Sequence, residues 1–203
     1  MKNIVNISLT MIALVVLIVS VGSAQIAPEN RLNIWAVSDG SILVGANSTD
    51  SKAGPYFGGS VAYGLGSGVS LYIESGYGWT NYQSVDGLKL VSIPVLGGVT
   101  YNFGQLLNSN IVQPYVGASG GAFNYLLQQD GTTIAFSGNE QKTTSFGLEG
   151  IAGVSFKINE DVAIDIRGKY DHAFSKRDNG NSLESQEWSN VGVGGGISYN
   201  FSF

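Results

Sequence analysis

The chain contains no cysteine and few charged residues. None of its 203 residues is cysteine, which excludes disulfide bonds, thiolate metal sites and a lipoprotein anchor. Charged residues make up 12% of the chain, about half the share of an ordinary soluble domain. So few charges cannot cover a soluble surface generously, and the net charge of -5 argues against nucleic acid as a partner.

Long apolar runs are also missing after the first residues. Residues 11–21 are apolar, Lys2 precedes them and small residues follow at 22–24, a pattern typical of a secretory signal peptide. An uncleaved membrane helix is the alternative, but the run is short and begins after the polar Asn6 and Ser8. We therefore predict a signal peptide at residues 1–24 and one domain at residues 25–203. Because no later stretch approaches about 18 apolar residues, any membrane crossing must use strands.

The remaining sequence alternates apolar with small or polar residues. The alternation is clearest near the end, where Val191, Val193, Gly195, Ile197 and Tyr199 are separated by Gly192, Gly194, Gly196 and Ser198. A period of two in an extended chain places successive side chains on opposite faces of a sheet. Seven earlier segments repeat the pattern, near residues 31–47, 55–65, 69–82, 91–103, 112–125, 144–158 and 162–170. In the first of them we expect a bulge at Gly40.

The connections between these segments alternate in length. Short connections fall near residues 66, 106 and 159, and longer ones near residues 50, 85, 135 and 180. This parity is typical of an up-and-down barrel with tight turns at one end and large loops at the other. The sequence therefore predicts an all-β fold of eight antiparallel strands.

Periodicity alone does not tell which face of the strands points into the barrel. In a soluble lipocalin-like carrier the apolar face would point inward, whereas in a membrane barrel it contacts lipid. Here the polar face is mostly Gly and Ser, which fit the narrow interior of an eight-stranded barrel. Aromatic residues also gather near the strand ends, as at the two interfaces of a membrane barrel. We assign to this aromatic girdle Tyr77, Trp79, Tyr101, Phe103, Phe156, Tyr170, Trp188, Tyr199 and Phe201.

The last predicted strand ends on aromatic residues, and the last residue is Phe203. This strand resembles the closing strand of bacterial outer-membrane β-barrels, and the chain is similar to the small eight-stranded group of OmpX-like proteins and OmpA-like transmembrane domains. The resemblance implies a monomeric transmembrane barrel in the outer membrane, surrounded by lipid and lipopolysaccharide. It also implies that Phe203 is an assembly signal for the barrel-assembly machinery.

In this orientation a cluster of charged residues points into the lumen: Glu74, Glu149, Lys157, Asp165, Arg167 and Lys169. Glu149 and Lys169 are nearly symmetrical about the turn at residues 159–160, so we expect them to be cross-strand or diagonal neighbours. Charges in a narrow interior must pair or keep water. The cluster is either a constriction that tunes the passage of small solutes or a salt-bridge plug in a closed barrel, and we favour the plug.

Signatures of catalysis and of metal binding are weak. Some eight-stranded outer-membrane barrels are lipid A deacylases that use Ser, His and an acid, with His and Ser two residues apart. The single histidine here is His172, and Ser175 lies three residues away, on the opposite face of an extended strand. We expect no enzyme, cofactor or metal site, and we interpret Asp39 as one of several loop acids without a calcium-loop pattern.

The function predicted at this point is a non-enzymatic envelope-structural or porin-like role. The alternative is adhesion or recognition of a host or surface ligand through the long loops at residues 128–143 and 175–186. A lipid A-modifying enzyme and a soluble carrier rank below both.

Overall fold

The computed structural model describes residues 32–44, 50–104, 107, 109–136, 138–175 and 187–200. Eight long strands carry the fold: β1 (Leu32–Val44), β2 (Gly54–Gly66), β3 (Val69–Asn81), β4 (Leu88–Asn102), β5 (Val112–Gln129), β9 (Lys142–Lys157), β10 (Val162–Ala173) and β11 (Trp188–Asn200). Three two-residue strands lie between β5 and β9: β6 (Thr132–Thr133), β7 (Ala135–Phe136) and β8 (Asn139–Glu140). The predicted signal peptide, Phe201 and Phe203 lie outside the described residues. Within the described ranges, no helix is long and apolar enough for a membrane span.

The eight long strands close into a barrel. Each pairs antiparallel with its neighbours along the chain, β5 pairs with β9 across the three short strands, and β1 pairs with β11 to complete the ring. Closure gives every long strand two partners, so the backbone hydrogen bonds are satisfied without an open sheet edge. The predicted eight-stranded antiparallel class is confirmed.

Short and long connections lie at opposite ends, which we call the turn end and the loop end. At the turn end β2 reverses into β3 through Gly66, Ser67 and Gly68, whose φ angles are 92°, 52° and 83°. Three consecutive left-handed residues make so tight a reversal possible, and glycine adopts this conformation without strain at two of them. The other connections at the turn end join β4 to β5 and β9 to β10. The ends of the long strands that lead into the other four connections, from β1 to β2, β3 to β4, β5 to β9 and β10 to β11, lie at the loop end.

Strand β1 corrects one prediction, because it contains no bulge at Gly40. Its register runs unbroken past Gly40, which lies opposite Val193 of β11 and Pro55 of β2. The alternation is hard to detect in the sequence because large apolar side chains, Trp35 and Leu43 among them, occupy inward positions of this strand and are buried.

Pro94 in β4 is accommodated by a break in the pairing with β3. The ladder stops after Ser75 and resumes at Gly78, opposite the residue that has no N–H to donate. Ser75 Oγ donates to the Pro94 carbonyl at 2.9 Å, and Asn124 Nδ2 donates to the Ile93 carbonyl at 3.0 Å. Side chains thus satisfy the carbonyls at the interruption.

The two faces of the barrel wall differ sharply in chemistry. Apolar side chains face outward and are exposed, with 57% of Ile166 and 65% of Val193 accessible, whereas Asp165 and Arg167 are each 1% accessible. The apolar face therefore points away from the lumen, as a membrane barrel requires, and the soluble-carrier interpretation is wrong.

Candidate functional site

Arg167 crosslinks three strands at mid-depth in the lumen. Its Nη1 donates to Glu74 Oε2 on β3 at 2.7 Å and its Nη2 donates to Glu74 Oε1 at 2.9 Å. On the other side, Nη2 and Nε donate to the two oxygens of Asp39 on β1 at 2.8 and 3.3 Å. All three side chains have 0% accessibility. We call these residues the Arg167 group, and its fork-like donors match both carboxylates.

Asp39 is the member of this group that the sequence analysis placed in a loop. It lies within β1, on the inward face with Trp35 and Val37, and is 2% accessible. The signal that could have found it is the odd-numbered inward phase of this strand, since Asp39 is two residues from Val37 and four from Trp35. The central ion pair therefore depends on a residue absent from the predicted cluster.

Lys169 forms a second and looser group two residues along β10. Its Nζ lies 3.6 Å from Glu149 Oε2 and 3.4 Å from Asp171 Oδ2, and 3.9 Å from the centroid of the Tyr56 ring. Glu149 and Asp171 are direct cross-strand partners, so Lys169 is a diagonal neighbour of Glu149, as the symmetry about the turn predicted. We call Lys169, Glu149 and Asp171 the Lys169 group.

Tyrosine and serine hydroxyls hold the carboxylates of the lumen in place. Tyr72 Oη and Ser119 Oγ donate to Glu149 Oε1 at 3.2 and 3.0 Å. Tyr115 Oη donates to Asp165 Oδ1 at 2.8 Å. Since these donors lie on β3 and β5 whereas the carboxylates lie on β9 and β10, they restrict movement of the carboxylates across the lumen.

The structure places most, but not all, of the predicted charged cluster in the lumen. Of its six residues, the structure buries five in the lumen to at most 6% accessibility: Glu74, Glu149, Asp165, Arg167 and Lys169. Lys157 is half-buried at the turn end of β9 and belongs to neither group. Asp171 lies on the polar face of its strand as the alternation indicated, although the predicted cluster did not include it.

An apolar layer closes the lumen towards the loop end. We call it the loop-end plug; it consists of Leu43, Leu90, Leu96, Phe123, Tyr125, Ala173 and Trp188. The rings of Tyr125 and Trp188 lie 5.6 Å apart, and those of Phe123 and Tyr125 stack at 6.3 Å. A second apolar cluster contains the carboxylate-binding Tyr72 and Tyr115 together with Trp35 and Ile151. The charged groups are therefore enclosed by side chains.

Trp188 corrects the predicted aromatic girdle, because it lies inside the barrel and is 1% accessible. It has the same parity as the inward Asn190 lining the lumen, while Val191 and Val193 face outward. Strand parity therefore outweighed the expectation that a tryptophan near a strand end faces lipid.

The other described members of the predicted girdle face outward at the two ends of the strands. Tyr77, Trp79 and Tyr170 lie near the loop end, and Tyr101, Phe103, Phe156 and Tyr199 near the turn end. Neighbouring rings touch within each set, with centroids 5.8 Å apart for Tyr77 and Trp79, and 4.9 Å apart for Tyr101 and Phe103. Exposed Phe57, Tyr63, Phe146 and Phe174 extend both sets and were missed.

His172 contacts a serine of the neighbouring strand β11. Its Nδ1 lies 2.9 Å from Oγ of Ser189, its direct partner on β11, and Tyr170 Oη donates to the same oxygen at 3.4 Å. The His172 ring also meets Phe174 edge-on at 4.8 Å. The described part of the chain contains no group of three or more His, Cys, Asp or Glu side chains that could hold a metal ion.

Three connections at the loop end are tied together by hydrogen bonds. Gln83 N donates to the Asp50 carbonyl at 2.8 Å, Ser84 Oγ donates to the Asp50 carboxylate, and Asp130 N donates to the Gly87 carbonyl at 3.2 Å. We call the described residues in the ranges 50–53, 82–88 and 127–142 the loop platform. An exposed ion pair lies at its edge, where the Lys142 ammonium is 2.5 Å from Glu140 Oε2 and lowers the pKa of that carboxyl.

Comparisons with known proteins agree with this architecture. Residues 11–201 match the family model described as outer membrane protein beta-barrel domain, whereas no curated protein matches the chain.

Among solved structures, Neisserial surface protein A is 16% identical, with 84% of this chain and 97% of that chain covered and a TM-score of 0.62. The N-terminal β-barrel domain of Pseudomonas aeruginosa OprF is 20% identical, with coverage of 85% and 98% and a TM-score of 0.50. Yersinia pestis Ail, in complex with the heparin analogue sucrose octasulfate, is 16% identical, with coverage of 84% and 99% and a TM-score of 0.52. At these identities the likeness concerns the fold. With its closed eight-stranded wall and outward apolar face, the chain is a protein of the bacterial outer membrane and belongs to the outer membrane protein β-barrel family.

Proposed function

We propose that this protein is a non-enzymatic, non-conducting barrel with a structural role in the outer membrane. The observation that carries the proposal is the Arg167 group, in which side chains from β1, β3 and β10 meet at 2.7 to 3.3 Å across the middle of the lumen. Of the two roles considered for the charged cluster, this geometry favours the salt-bridge plug over the solute constriction.

Passage of an ion would require the lumen to open at two levels. The ion pairs of the Arg167 group would have to separate, and leaving one partner of such a pair buried alone costs about 3–5 kcal/mol. The loop-end plug adds a layer of buried apolar side chains. A cavity of about 30 Å³ lies between this plug and Lys169, which gives room for no more than a few water molecules. Both features support a closed lumen.

Planar bilayer recordings of the purified, folded protein test the proposal. We expect no reproducible stepwise conductance from the wild-type protein or from Phe57→Ala, a matched change on the exposed outer face. Arg167→Ser and Trp188→Ala each remove one barrier and should also stay closed, because the other remains. Reproducible conductance of the wild-type protein, altered by Arg167→Ser, contradicts the proposal and supports a porin-like pore.

Surface recognition is a second candidate function, and the loop platform favours it. Loops that are already tied to one another lose less conformational entropy when they bind a partner. The fold similarity to Ail, which was solved with a heparin analogue, is consistent with a host or surface ligand bound by the loops.

Shortening the platform while preserving the barrel tests recognition. Replacing residues 131–139 by a two-residue turn removes its tip but leaves the eight long strands, so the variant should keep heat-modifiable gel migration. We expect cells that carry it to bind host cells or matrix less well than wild-type cells. A parallel deletion in residues 176–186 tests the other predicted loop, and unchanged binding by both variants argues against recognition.

The remaining partners follow from the predicted assembly signal and from the outward aromatic residues. We expect the barrel to be a monomer surrounded by lipid and lipopolysaccharide, and Phe203 to be recognised by the assembly machinery. Phe203→Ala should lower the amount of folded barrel in the outer membrane. An amount equal to that of the wild-type protein would contradict the prediction that Phe203 is the assembly signal.

The non-enzymatic part of the proposal has its own test. Because His172 contacts Ser189 on the outer face, His172→Ala and Ser189→Ala are the changes that would disable a hydrolytic pair. We expect the lipid A composition of cells to be identical with either variant and with the wild-type protein. A difference in acyl chains would instead support the lipid A-modifying alternative.

A further inference from the structure

The buried charges of the lumen do not balance. Five carboxylates and two cationic side chains are at most 6% accessible: Asp39, Glu74, Glu149, Asp165 and Asp171 against Arg167 and Lys169. Fully ionised, they leave an excess of three negative charges. An uncompensated charge in a low-dielectric interior is costly, so the folded lumen needs additional positive charge.

The shortage of positive charge is most evident in the Lys169 group. One ammonium faces two carboxylates at 3.4 and 3.6 Å, longer than the 2.7 and 2.8 Å of the Arg167 ion pairs. The second oxygen of Asp171, Oδ1, is buried and has no hydrogen-bond partner. This group therefore lacks one positive charge and has a free carboxylate oxygen.

A small cavity adjoins that carboxylate on the side of the loop-end plug. Its volume is about 30 Å³, and its lining includes oxygen-bearing side chains from six strands: Ser41, Thr80, Ser92, Tyr125, Asp171 and Asn190. Lys169 also lines the cavity, but its ammonium lies against Asp171 Oδ2, Glu149 and the Tyr56 ring, which leaves Asp171 Oδ1 without a partner. Carboxylate, hydroxyl and amide oxygens are the ligands that hard cations prefer.

We propose that this cavity binds one small monovalent cation, Na⁺ or K⁺, against Asp171 Oδ1. A single positive charge makes the Lys169 group neutral, and a single carboxylate in an otherwise uncharged oxygen shell suits a monovalent ion better than a divalent one. Selectivity for such ions by uncharged oxygens is well known in channel proteins. The site goes beyond the proposed function, because it stabilises the barrel whether or not the lumen conducts.

Urea unfolding of the full-length folded protein in detergent micelles tests the site. NaCl, KCl or CsCl replaces choline chloride at constant pH and ionic strength, since choline is too large for the cavity. Above the dissociation constant, each tenfold rise in the bound ion's concentration should lower the unfolding equilibrium constant about tenfold. The wild-type protein should distinguish Na⁺ or K⁺ from choline, and Asp171→Asn should lose this distinction.

Asp165→Asn is the matched control, because Asp165 is equally buried on the same strand and is absent from the cavity lining. This variant should keep the wild-type preference among the ions. Equal stability of the wild-type protein in all four salts overturns the proposal, even if Asp171→Asn fails to fold. So does a stability that varies with pH but not with the ion, since protons then supply the positive charge. The same holds if Asp171→Asn keeps the ion preference.

Discussion

The Arg167 group and the Lys169 group differ although their cations lie two residues apart on β10. Both cations point into the lumen, both are almost fully buried, and each faces two carboxylates. Arg167 makes four hydrogen bonds to its carboxylates at 2.7 to 3.3 Å. Lys169 stays 3.4 Å or more from its own and rests against the Tyr56 ring.

The difference shows that burial alone does not close a lumen. A guanidinium is planar and presents several donors in fixed directions, so it joins two carboxylates on separate strands. An ammonium is a compact charge on a flexible stem and leaves unfilled space at its side. Arg167 therefore acts as a rigid crosslink between β1, β3 and β10, and the cavity lies beside Lys169.

The largest effect should come from Arg167→Ala, which leaves Asp39 and Glu74 buried without their cation. Removing one member of a buried ion pair costs about 3–5 kcal/mol, and we expect a loss of this size in the free energy of unfolding. Equilibrium urea unfolding in micelles measures it. Arg167→Lys should also be destabilising, because a point charge cannot replace the fork.

Neutralising the whole Arg167 group distinguishes the loss of the ion-pair attraction from the cost of leaving a buried charge unpaired. The triple variant Asp39→Asn, Glu74→Gln and Arg167→Met removes all three charges together, and replacing buried ion pairs by uncharged groups is often neutral. It should therefore be more stable than Arg167→Ala. If the two are equally unstable, the crosslink itself provides the stability and the comparison with Lys169 needs revision.

The next largest effect concerns the loop-end plug that covers the Lys169 group. Trp188→Ala should leave a cavity and cost about 3–5 kcal/mol, as for other large aromatic core residues. Trp79→Ala, on the outer face, should cost less because its side chain is only half-buried. Urea unfolding of the two variants measures the difference, and equal losses would contradict the placement of Trp188 in the lumen.

The strands and their order follow from the sequence because one physical rule governs the whole wall. An outward face against lipid must be apolar and a narrow interior must be small or polar, so the period of two marks each strand. Where that rule is obeyed, as in the alternation of Ile164 and Ile166 with Asp165 and Arg167, the pattern predicts the faces correctly. It weakens in β1, where buried Trp35 and Leu43 hide the phase.

The site was only partly accessible to sequence reasoning for a related reason. The alternation along β10 identifies Arg167 and Lys169 as inward cations, but the choice of partner depends on which strands face each other across the lumen. Asp39 is 128 residues from Arg167 along the chain, and no local pattern connects them. The prediction that Trp188 belongs to the aromatic girdle was wrong because aromatic residues near strand ends fit both a lipid interface and an apolar plug.

A smaller effect is expected for Lys169→Met. Its contacts are longer than those of Arg167, and Glu149 keeps hydrogen bonds from Tyr72 and Ser119. We expect a loss of about 1–3 kcal/mol, the range for a buried polar group that loses one partner. Unfolding in urea alongside Arg167→Ala measures the ratio, and a loss equal to that of Arg167→Ala would remove the distinction between the two groups.

The smallest effect should come from the ion pair with the shortest contact. Lys142 and Glu140 are 2.5 Å apart, closer than any pair in the lumen, yet their side chains are 55% and 53% accessible. Water and salt screen such a pair, although Lys142 lowers the pKa of Glu140. A lowered pKa adds stability above the carboxyl's unfolded pKa that is lost as pH falls through the folded one, but exposure makes this contribution small. Glu140→Gln should therefore leave urea unfolding unchanged at pH 7 and pH 4; a loss approaching that of Lys169→Met would mean that distance, and not burial and donor geometry, ranks the ion pairs of this barrel.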